Sequence, residues 1–525
     1  MRSLRTTLVL SLALALPAAA QQRPAESDSA VLARIREEGT ARSRVMQTAT
    51  MLSDVLGPRL AGSPEYREAA EWARAELTRY GLRDARLEPW GRRRGRSWTA
   101  TRHSVELVAP RYQRIRAFPR AWSPPTAGVV RGTPIVVDIR ADSDVAKYRG
   151  RLRGAIVMNG GARADTTETR FEPHARRFSG AELDSLSRLT DPGEPKDYCE
   201  DACGYAVNVR RRLRVQQLLR EEGVAALLEP SRNRNAVMVS GYQAYDSDVS
   251  GAVPGFFVDR SDYDRIVHLV EAGRAPVLEL SLQVRSVLPA GADTLGYNVL
   301  AELPGSDPAV ADEVVMVGGH FDSWTAGTGA TDNAAGVAAA MEALRILQAT
   351  GARPRRTVRI AMWDGEEHED YFGSLGWVRR HLADPETMRL LPEQAKVSAY
   401  FNLDNGTGAV RGIYLQGNTR ARPVLASVLA PLADLGASTL TIKRVGSTDH
   451  VPFWGVGIPA FTFIQDPIDY EPLTHHTEAD DASNLLPGDL RQASIVLASV
   501  LYQVANLPEK LPRMPLPPPA APASK

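Results

Sequence analysis

Five short stretches of this 525-residue chain carry imidazole and carboxylate groups: Gly319-His320-Phe321-Asp322-Ser323, Thr331-Asp332-Asn333, Asp364-Gly365-Glu366-Glu367, Asp404, and His475-His476. Nitrogen and oxygen donors without thiolate suit a borderline-hard divalent ion such as zinc, and several carboxylates favour a two-metal site in which one bridges. Asp332 is the bridging candidate, because a carboxylate at the cap of a helix beginning at Asn333 is kept ionised by the helix dipole. If Glu367 ligates a metal, Glu366 points elsewhere and is left to take a proton from water, since successive side chains of an extended segment face different ways. Asp322, two residues from His320, is placed to accept the second ring N–H and fix the ligating tautomer. Such a division of roles describes a hydrolase. Each group alone has a plainer reading: Asp404 as a cap or turn residue, Glu366-Glu367 as a solvated pair, His320 as a satisfied loop histidine. Their joint occurrence carries the metal reading. His103, His174 and His268 are assigned to surface or packing, and the role of His450 in Ser447-Thr448-Asp449-His450 stays open.

These groups need elements that bring them together. From residue 295 onward, apolar runs at 314–317, 358–363, 399–403 and 460–464 read as strands, each feeding one of the polar loops. A helix at 333–348 shows one apolar face, Val337, Ala340, Met341, Leu344 and Leu347. The pattern predicts an α/β fold, a mixed, mostly parallel sheet sandwiched by helices, with the site beyond the carboxyl ends of the strands. Upstream, Ser63-Pro64 caps an amphipathic helix at 65–80, followed by strands at 85–90 and 104–108. At Ser123-Pro124-Pro125 the composition changes, and short β-rich segments at 135–139, 155–159, 225–229, 236–240 and 256–258 follow, so 123–276 reads as an inserted domain. The division expected is residues 21–122 and 277–511 for the main domain, with a disordered Pro/Ala-rich tail at 512–525.

Composition narrows the class. At roughly 100–200 residues per domain the length implies two or three packed units. Lys+Arg number 63 against Asp+Glu 62, so there is no basic field for nucleic acid and no acidic composition of the kind that keeps a chain disordered. Arg2 and Arg5 precede an apolar run at 8–16, then Pro17 and Ala18-Ala19-Ala20, which reads as a secretory signal cleaved near Ala20. That run is too short to span a bilayer and no later stretch of about 20 apolar residues follows, so the expected product is exported, without membrane insertion. In an oxidising compartment Cys199 and Cys203 are expected to close a local disulfide. There is no Gly-x-Ser-x-Gly elbow, no His-Glu-x-x-His helix and no phosphate-binding loop, which disfavours serine, thermolysin-like and nucleotide chemistry.

The stretches Gly318-Gly319-His320-Phe321-Asp322-Ser323, Gly329-Ala330-Thr331-Asp332-Asn333-Ala334-Ala335-Gly336, Trp363-Asp364-Gly365-Glu366-Glu367, Asn402-Leu403-Asp404 and His475-His476-Thr477 together resemble metallopeptidase family twenty-eight, the two-zinc exopeptidases. Gly57-Pro58-Arg59-Leu60-Ala61-Gly62-Ser63 resembles that family's N-terminal region. The insert resembles a protease-associated domain in Lys147-Tyr148-Arg149-Gly150 and Gly154-Ala155-Ile156-Val157-Met158, and the long form of the chain is most similar to the carboxypeptidase Q-like branch. The resemblance implies two Zn2+ per chain, one held by His320, Asp332 and Asp404 and the other by Asp332, Glu367 and His476. His476 is preferred to His475 because the family's ligand directly precedes Thr or Ser. It further implies Glu366 as general base, short peptides or dipeptides as substrates, and a homodimer. An aminopeptidase of the same family is the alternative; a metal-free binding or receptor-like protein, or a one-zinc cyclase, is the alternative of another class. One departure concerns His368-Glu369-Asp370-Tyr371-Phe372-Gly373-Ser374, which is one residue longer than the family's pattern and lacks its first glycine.

Overall fold

The computed structural model describes residues 28–92, 97–162, 173–193, 212, 214–233, 235–241, 252–285, 295–367 and 371–517. The expected signal at 1–20, Cys199 and Cys203, loop residues 368–370 and the end of the tail lie outside the described residues.

The main sheet has eight strands: β1 (Arg83–Arg92), β2 (Leu295–Leu303), β3 (Val314–His320), β4 (Thr357–Trp363), β5 (Val397–Asn402), β6 (Val410–Tyr414), β7 (Thr439–Thr441) and β8 (Ala460–Gln465). Their order is β1-β2-β4-β3-β5-β8-β6-β7. β3 runs parallel to β4 and β5, and β5 parallel to β8; β2 pairs antiparallel with both β4 and β1, and β6 antiparallel with β8. The sheet is thus mixed, with a parallel centre. Central strands covered on both faces read as unbroken apolar runs, and every residue of β3 and β5 is buried. Val315 and Val317 of β3 pack on one face with helices Ala335–Ala349 and Pro487–Asn506, while Val314 and Met316 pack on the other with Trp377 and Phe453.

The helix Pro64–Arg79 forms as its sequence dictates: the Ser63 hydroxyl accepts the Tyr66 N–H, Pro64 occupies the first turn, and Tyr66, Ala69, Ala70, Ala73 and Leu77 are buried. The helix expected from 333 begins instead at Ala335. Residues Ala330–Ala334 form a separate turn in which Asp332 (φ −130°, ψ 85°) and Asn333 (φ −133°, ψ 42°) are non-helical. Asn333 takes the capping role foreseen for Asp332: its side-chain oxygen accepts the Gly336 N–H at 3.0 Å and its amide donates to the Leu403 carbonyl at 2.9 Å. Gly336 is required there, since a Cβ would lie 2.2 Å from the Leu403 carbonyl oxygen.

The insert is larger than its composition suggested. Strands Thr99–Ala109 and Val277–Arg285 pair antiparallel with each other, and Val130–Gly132 joins them. A five-stranded sheet of Ala117–Pro119, Gly255–Val258, Ala226–Pro230, Ile156–Asn159 and Ile135–Val137 packs against that layer, and Val105, Leu107, Leu278, Leu280, Ile156, Met158, Leu228 and Phe256 share one core. The unit therefore runs from Thr99 to Arg285, beyond the expected 123–276. Ser123-Pro124-Pro125 lies in a loop inside it, and its flanking strands alternate apolar and polar residues like any half-buried strand. The strand expected at 236–240 does not join the insert's sheets; Met238 makes a single bridge to Thr477 in the main domain. The tail also starts later than expected, because the Pro512 carbonyl accepts from Asn418 and Arg513 donates to the carbonyls of Gln394 and Val397. Among the described residues no helix is long and apolar enough to cross a membrane.

One polar clamp fixes the sheet edge to its helix. His381 ends helix Phe372–His381, stacks on Trp377 with ring centroids 4.7 Å apart, and places its Nε2 2.6 Å from Glu88 and its Nδ1 3.1 Å from Glu393. Burial alone would lower its pKa, but the two carboxylates outweigh burial and raise it to about 9, while the imidazolium draws Glu393 down to about 2. A raised histidine stabilises fully below its unfolded value and loses that contribution as pH climbs through the folded one; a lowered acid does so in the opposite direction. The clamp therefore acts in full between about pH 4.5 and 6.5 and fades through about 9 and about 2. His381→Gln is expected to lower the melting temperature by a few degrees at pH 6 and by much less at pH 10; an equal loss at both values contradicts the clamp.

Candidate metal centre

Parallel register sets the polar strand ends level. His320, the last residue of β3, lies opposite Trp363 of β4, and Gly318 opposite Asn402 of β5. β4 continues through Asp364 and Gly365, whose φ of +79° allows the turn, into Glu366 and Glu367. Asp364 holds this turn by accepting Trp90 Nε1 at 2.9 Å and the Tyr297 N–H at 3.1 Å. β5 leads to Asp404, the turn before helix Ala335–Ala349 supplies Asp332, and the loop after β8 supplies His475 and His476.

The groups converge as two sets that share one carboxylate. His320 Nε2 lies 3.1 Å from Asp332 Oδ1 and 3.1 Å from Asp404 Oδ1. His476 Nε2 lies 2.9 Å from Glu367 Oε2 and 3.5 Å from Asp332 Oδ2. Asp332 thus turns one oxygen to each set. The other ring nitrogen of His320 sits 3.0 Å from the Asp322 backbone carbonyl and donates to it, so that Nε2 is the nitrogen left to face the carboxylates. Asp322 acts differently from expectation: its carboxylate stands 3.8 Å from His320 Nδ1 and accepts the Glu366 N–H at 3.2 Å, since its carbonyl already serves the ring.

Carboxylate oxygens turned on one another repel unless protons or a cation lie between them. Asp332 Oδ2 and Glu367 Oε1 are buried and make no hydrogen bond, a costly state for an anion. Potential ligand atoms of His320, Asp332 and Asp404 lie within 4.8 Å of one another, as do those of Asp332, His475 and His476. The donor set, imidazole and carboxylate without thiolate, fits a divalent ion in each set. Both adjacent histidines reach Asp332, but only His476 also touches Glu367; the His475 ring lies against Tyr470, and its Nδ1 faces Glu471 at 3.3 Å.

The electrostatics reflect this crowding. Burial opposes a proton on His320, yet Asp404 and Asp332 hold its pKa well above the usual imidazole value. Burial, with the His475 charge, pushes His476 down to about 3, so it keeps its lone pair. Burial raises Glu366 and Glu367 well above the usual carboxylate range, with Asp404 and Asp449 adding to the first and Asp332 to the second.

Several residues that sequence reasoning did not single out complete the site. Arg59 is fully buried: Nε donates to the Phe321 carbonyl at 2.8 Å, Nη1 to Leu52 at 2.7 Å, and Nη2 to Gly329 at 2.9 Å, tying together the loops of His320 and Asp332. Burial lowers its pKa to about 10 against the pull of Asp480 and Asp322. Asp480 accepts the Thr331 N–H and hydroxyl beside Asp332. Asp449 is buried, and burial together with Asp404 and Asp322 raises it to about 8. Signals existed: Arg59 sits in the quoted Gly57–Ser63 stretch, and Asp449 adjoins His450. His450 itself belongs to neither set; its Nε2 meets the Gln416 amide at 2.8 Å, and it lines a small cavity with Gln416, Arg444 and Trp454. His174 and His268 are exposed and His103 packs near Phe118, away from the site.

A mixed sheet with a parallel centre, helices on both faces and an imidazole-carboxylate centre at its strand ends defines a metallopeptidase. Residues 298–501 match the model of Peptidase family M28, and the chain carries a domain of that family. Carboxypeptidase Q of Bos taurus is 26% identical over 480 residues, covering 90% of this chain and 88% of that protein. The crystal structure of a Peptidase M28 precursor from Shewanella amazonensis superposes with a TM-score of 0.67 at 24% identity, covering 94% of this chain and all of that one. A zinc aminopeptidase from Bacillus subtilis has the same fold, with a TM-score of 0.53 at 17% identity over 87% of this chain and 93% of its own.

Arg59 gives a test of how the loops are held. Arg59→Met leaves buried carbonyls unpaired, and the expected loss is roughly 3–5 kcal/mol, the range for removing one member of a buried charge arrangement. Chemical denaturation measures it; a loss no larger than that of an exposed ion pair, about 1 kcal/mol, contradicts the assignment.

Proposed function

We propose that this protein is an exported two-zinc exopeptidase that hydrolyses short peptides, with dipeptides as the preferred class. The observation that carries the reading is the division of Asp332, one oxygen toward His320 and Asp404 and the other toward Glu367 and His476. In this assignment His320, Asp332 and Asp404 hold one ion, and Asp332, Glu367 and His476 the other. When bound, zinc supplies Lewis acidity that polarises a scissile carbonyl and lowers the pKa of water. Glu366 takes the proton from the attacking water and passes it to the leaving amine, a role suited to a carboxylate whose burial raises its proton affinity. Asp322 orients that base through the Glu366 N–H, and its carbonyl keeps His320 in the ligating tautomer. The insert plays the part of a protease-associated domain, and residues 1–20 direct export. Dipeptide preference rests on likeness to carboxypeptidase Q over nearly the whole chain, insert included. A metal-free binding protein is disfavoured, because buried carboxylates turned on one another have no use in it.

Glu366→Gln is expected to reduce turnover by at least a hundredfold while zinc content stays at two per chain; unchanged hydrolysis overturns the base assignment. The zinc-loaded enzyme is expected to cleave a free dipeptide and to spare its N-blocked and C-blocked forms. Robust cleavage of the C-blocked form makes it an aminopeptidase, and zinc content of one or none points to a cyclase or a binding module.

A further inference from the structure

The loop that carries His476 is held in place by the insert. From Asp466 to Glu478 this loop contains Ile468 (φ 34°), Asp469 (φ 54°) and His476 (φ 60°), all in the left-handed region that non-glycine residues adopt at a cost. A ligand on such backbone needs outside contacts to fix it. The insert supplies them from two segments. On one side Phe178 N–H donates to the Asp466 carboxylate at 2.9 Å, Ala175 N–H to the Asp469 carboxylate at 3.0 Å, and Ile468 N–H to the Arg176 carbonyl at 3.1 Å. On the other, Asn235 Nδ2 donates to the Pro472 carbonyl at 3.1 Å, Val237 N–H to the Glu478 carboxylate at 2.5 Å, and Val239 N–H to the carbonyl of His476 itself at 2.8 Å. Arg116 of the insert pairs with Glu478 at 3.4 Å and with Asp259. Above the ring, Trp324 meets His476 edge-on at 6.0 Å and is backed by Trp122 of the insert at 6.1 Å. The packing is close: a Cβ on Gly241 would lie 2.4 Å from Trp122.

His320 and Asp404 depend on nothing of this kind, since β3 and β5 of the main sheet carry them. We infer that the insert is a positioning element for one metal position only: the 235–241 segment, through the Val239 N–H, sets His476, and the position formed by Glu367, His476 and Asp332 binds zinc tightly only while the insert is docked. The inference rests on the two-zinc reading above. It makes the insert part of the catalytic unit, so that anything loosening its contact with the loop empties one position and spares the other.

The test is zinc titration of the metal-free full chain against a chromophoric chelator, read alongside melting temperature. Val239→Ala keeps the N–H and is expected to bind two zincs as the wild type does. Val239→Pro lacks it and is expected to bind the first zinc normally and the second at least tenfold more weakly, the range for losing a contact that orients a ligand. Should the proline variant not fold, Asn235→Ala combined with Arg116→Ala removes two exposed anchors, and a several-fold weakening of the second zinc alone is expected. Second-zinc affinity equal to wild type in folded Val239→Pro, or in the double variant if the proline variant does not fold, overturns the inference, as does equal weakening of both zincs. Wild-type protein binding fewer than two zincs instead overturns the reading on which it rests.

Discussion

Carboxylates held close together away from water are the constraint around which this molecule is built. Asp332, Glu367, Asp404, Glu366, Asp322 and Asp449 meet at one end of the sheet, all but Asp404 nearly or fully buried. Like charges at such range in a poorly hydrated region cannot all remain ionised without compensation. The chain answers in several ways. Arg59 contributes a fixed positive charge from below. Backbone N–H groups serve Asp322 and Asp480. Burial favours the neutral acid at Asp449, which is raised to about 8. What is left, the facing oxygens of Asp332, Glu367 and Asp404, is the part that divalent cations are suited to balance.

Holding repelling groups in place requires a rigid frame, and the frame is long-range. The buried centre of the sheet fixes His320 and the turns to Glu366 and Asp404. Asn333 ties the Asp332 turn to the Leu403 carbonyl, and Arg59 ties it to the loop after β3. His476, far along the loop after β8, is held by contacts from the insert. The cost of the site is thus spread over contacts between segments far apart in the chain, which is why it is formed only by the complete fold.

That distribution explains what the sequence revealed. The strands β3, β4, β5 and β8 were legible because a strand covered on both faces must be apolar throughout, and each ran straight into its polar loop. The loops that bring imidazole and carboxylate groups together could therefore be placed in advance. The insert's true limits were not legible, because Thr99–Ala109 and Val277–Arg285 have the alternating pattern of any half-exposed strand, and pairing between them is a property of the fold. The misplaced cap at Asp332 has the same origin. Local rules favour Asp as readily as Asn at that position, and only the pull of the two imidazole sets decides that Asp332 turns inward while Asn333 caps. Arg59 escaped notice because an arginine bonded to backbone carbonyls leaves no trace in residue spacing.

The buried histidines differ in what engages their ring nitrogens. His320 and His450 are buried and His476 is partly exposed, and all feel Asp404 or Asp332. Burial lowers the pKa of both His450, to about 4, and His476, to about 3, so charge does not separate them. Engagement does. The Val445 N–H donates to Gln416 Oε1 and so orients its amide nitrogen toward His450 Nε2, which leaves that nitrogen satisfied by protein. At His320 the Asp322 carbonyl takes the opposite nitrogen, and Nε2 faces only carboxylates. What sets His320 apart from His450 is thus a ring nitrogen that the protein leaves to anions, and that choice is made by a neighbouring carbonyl or amide more than by the histidine.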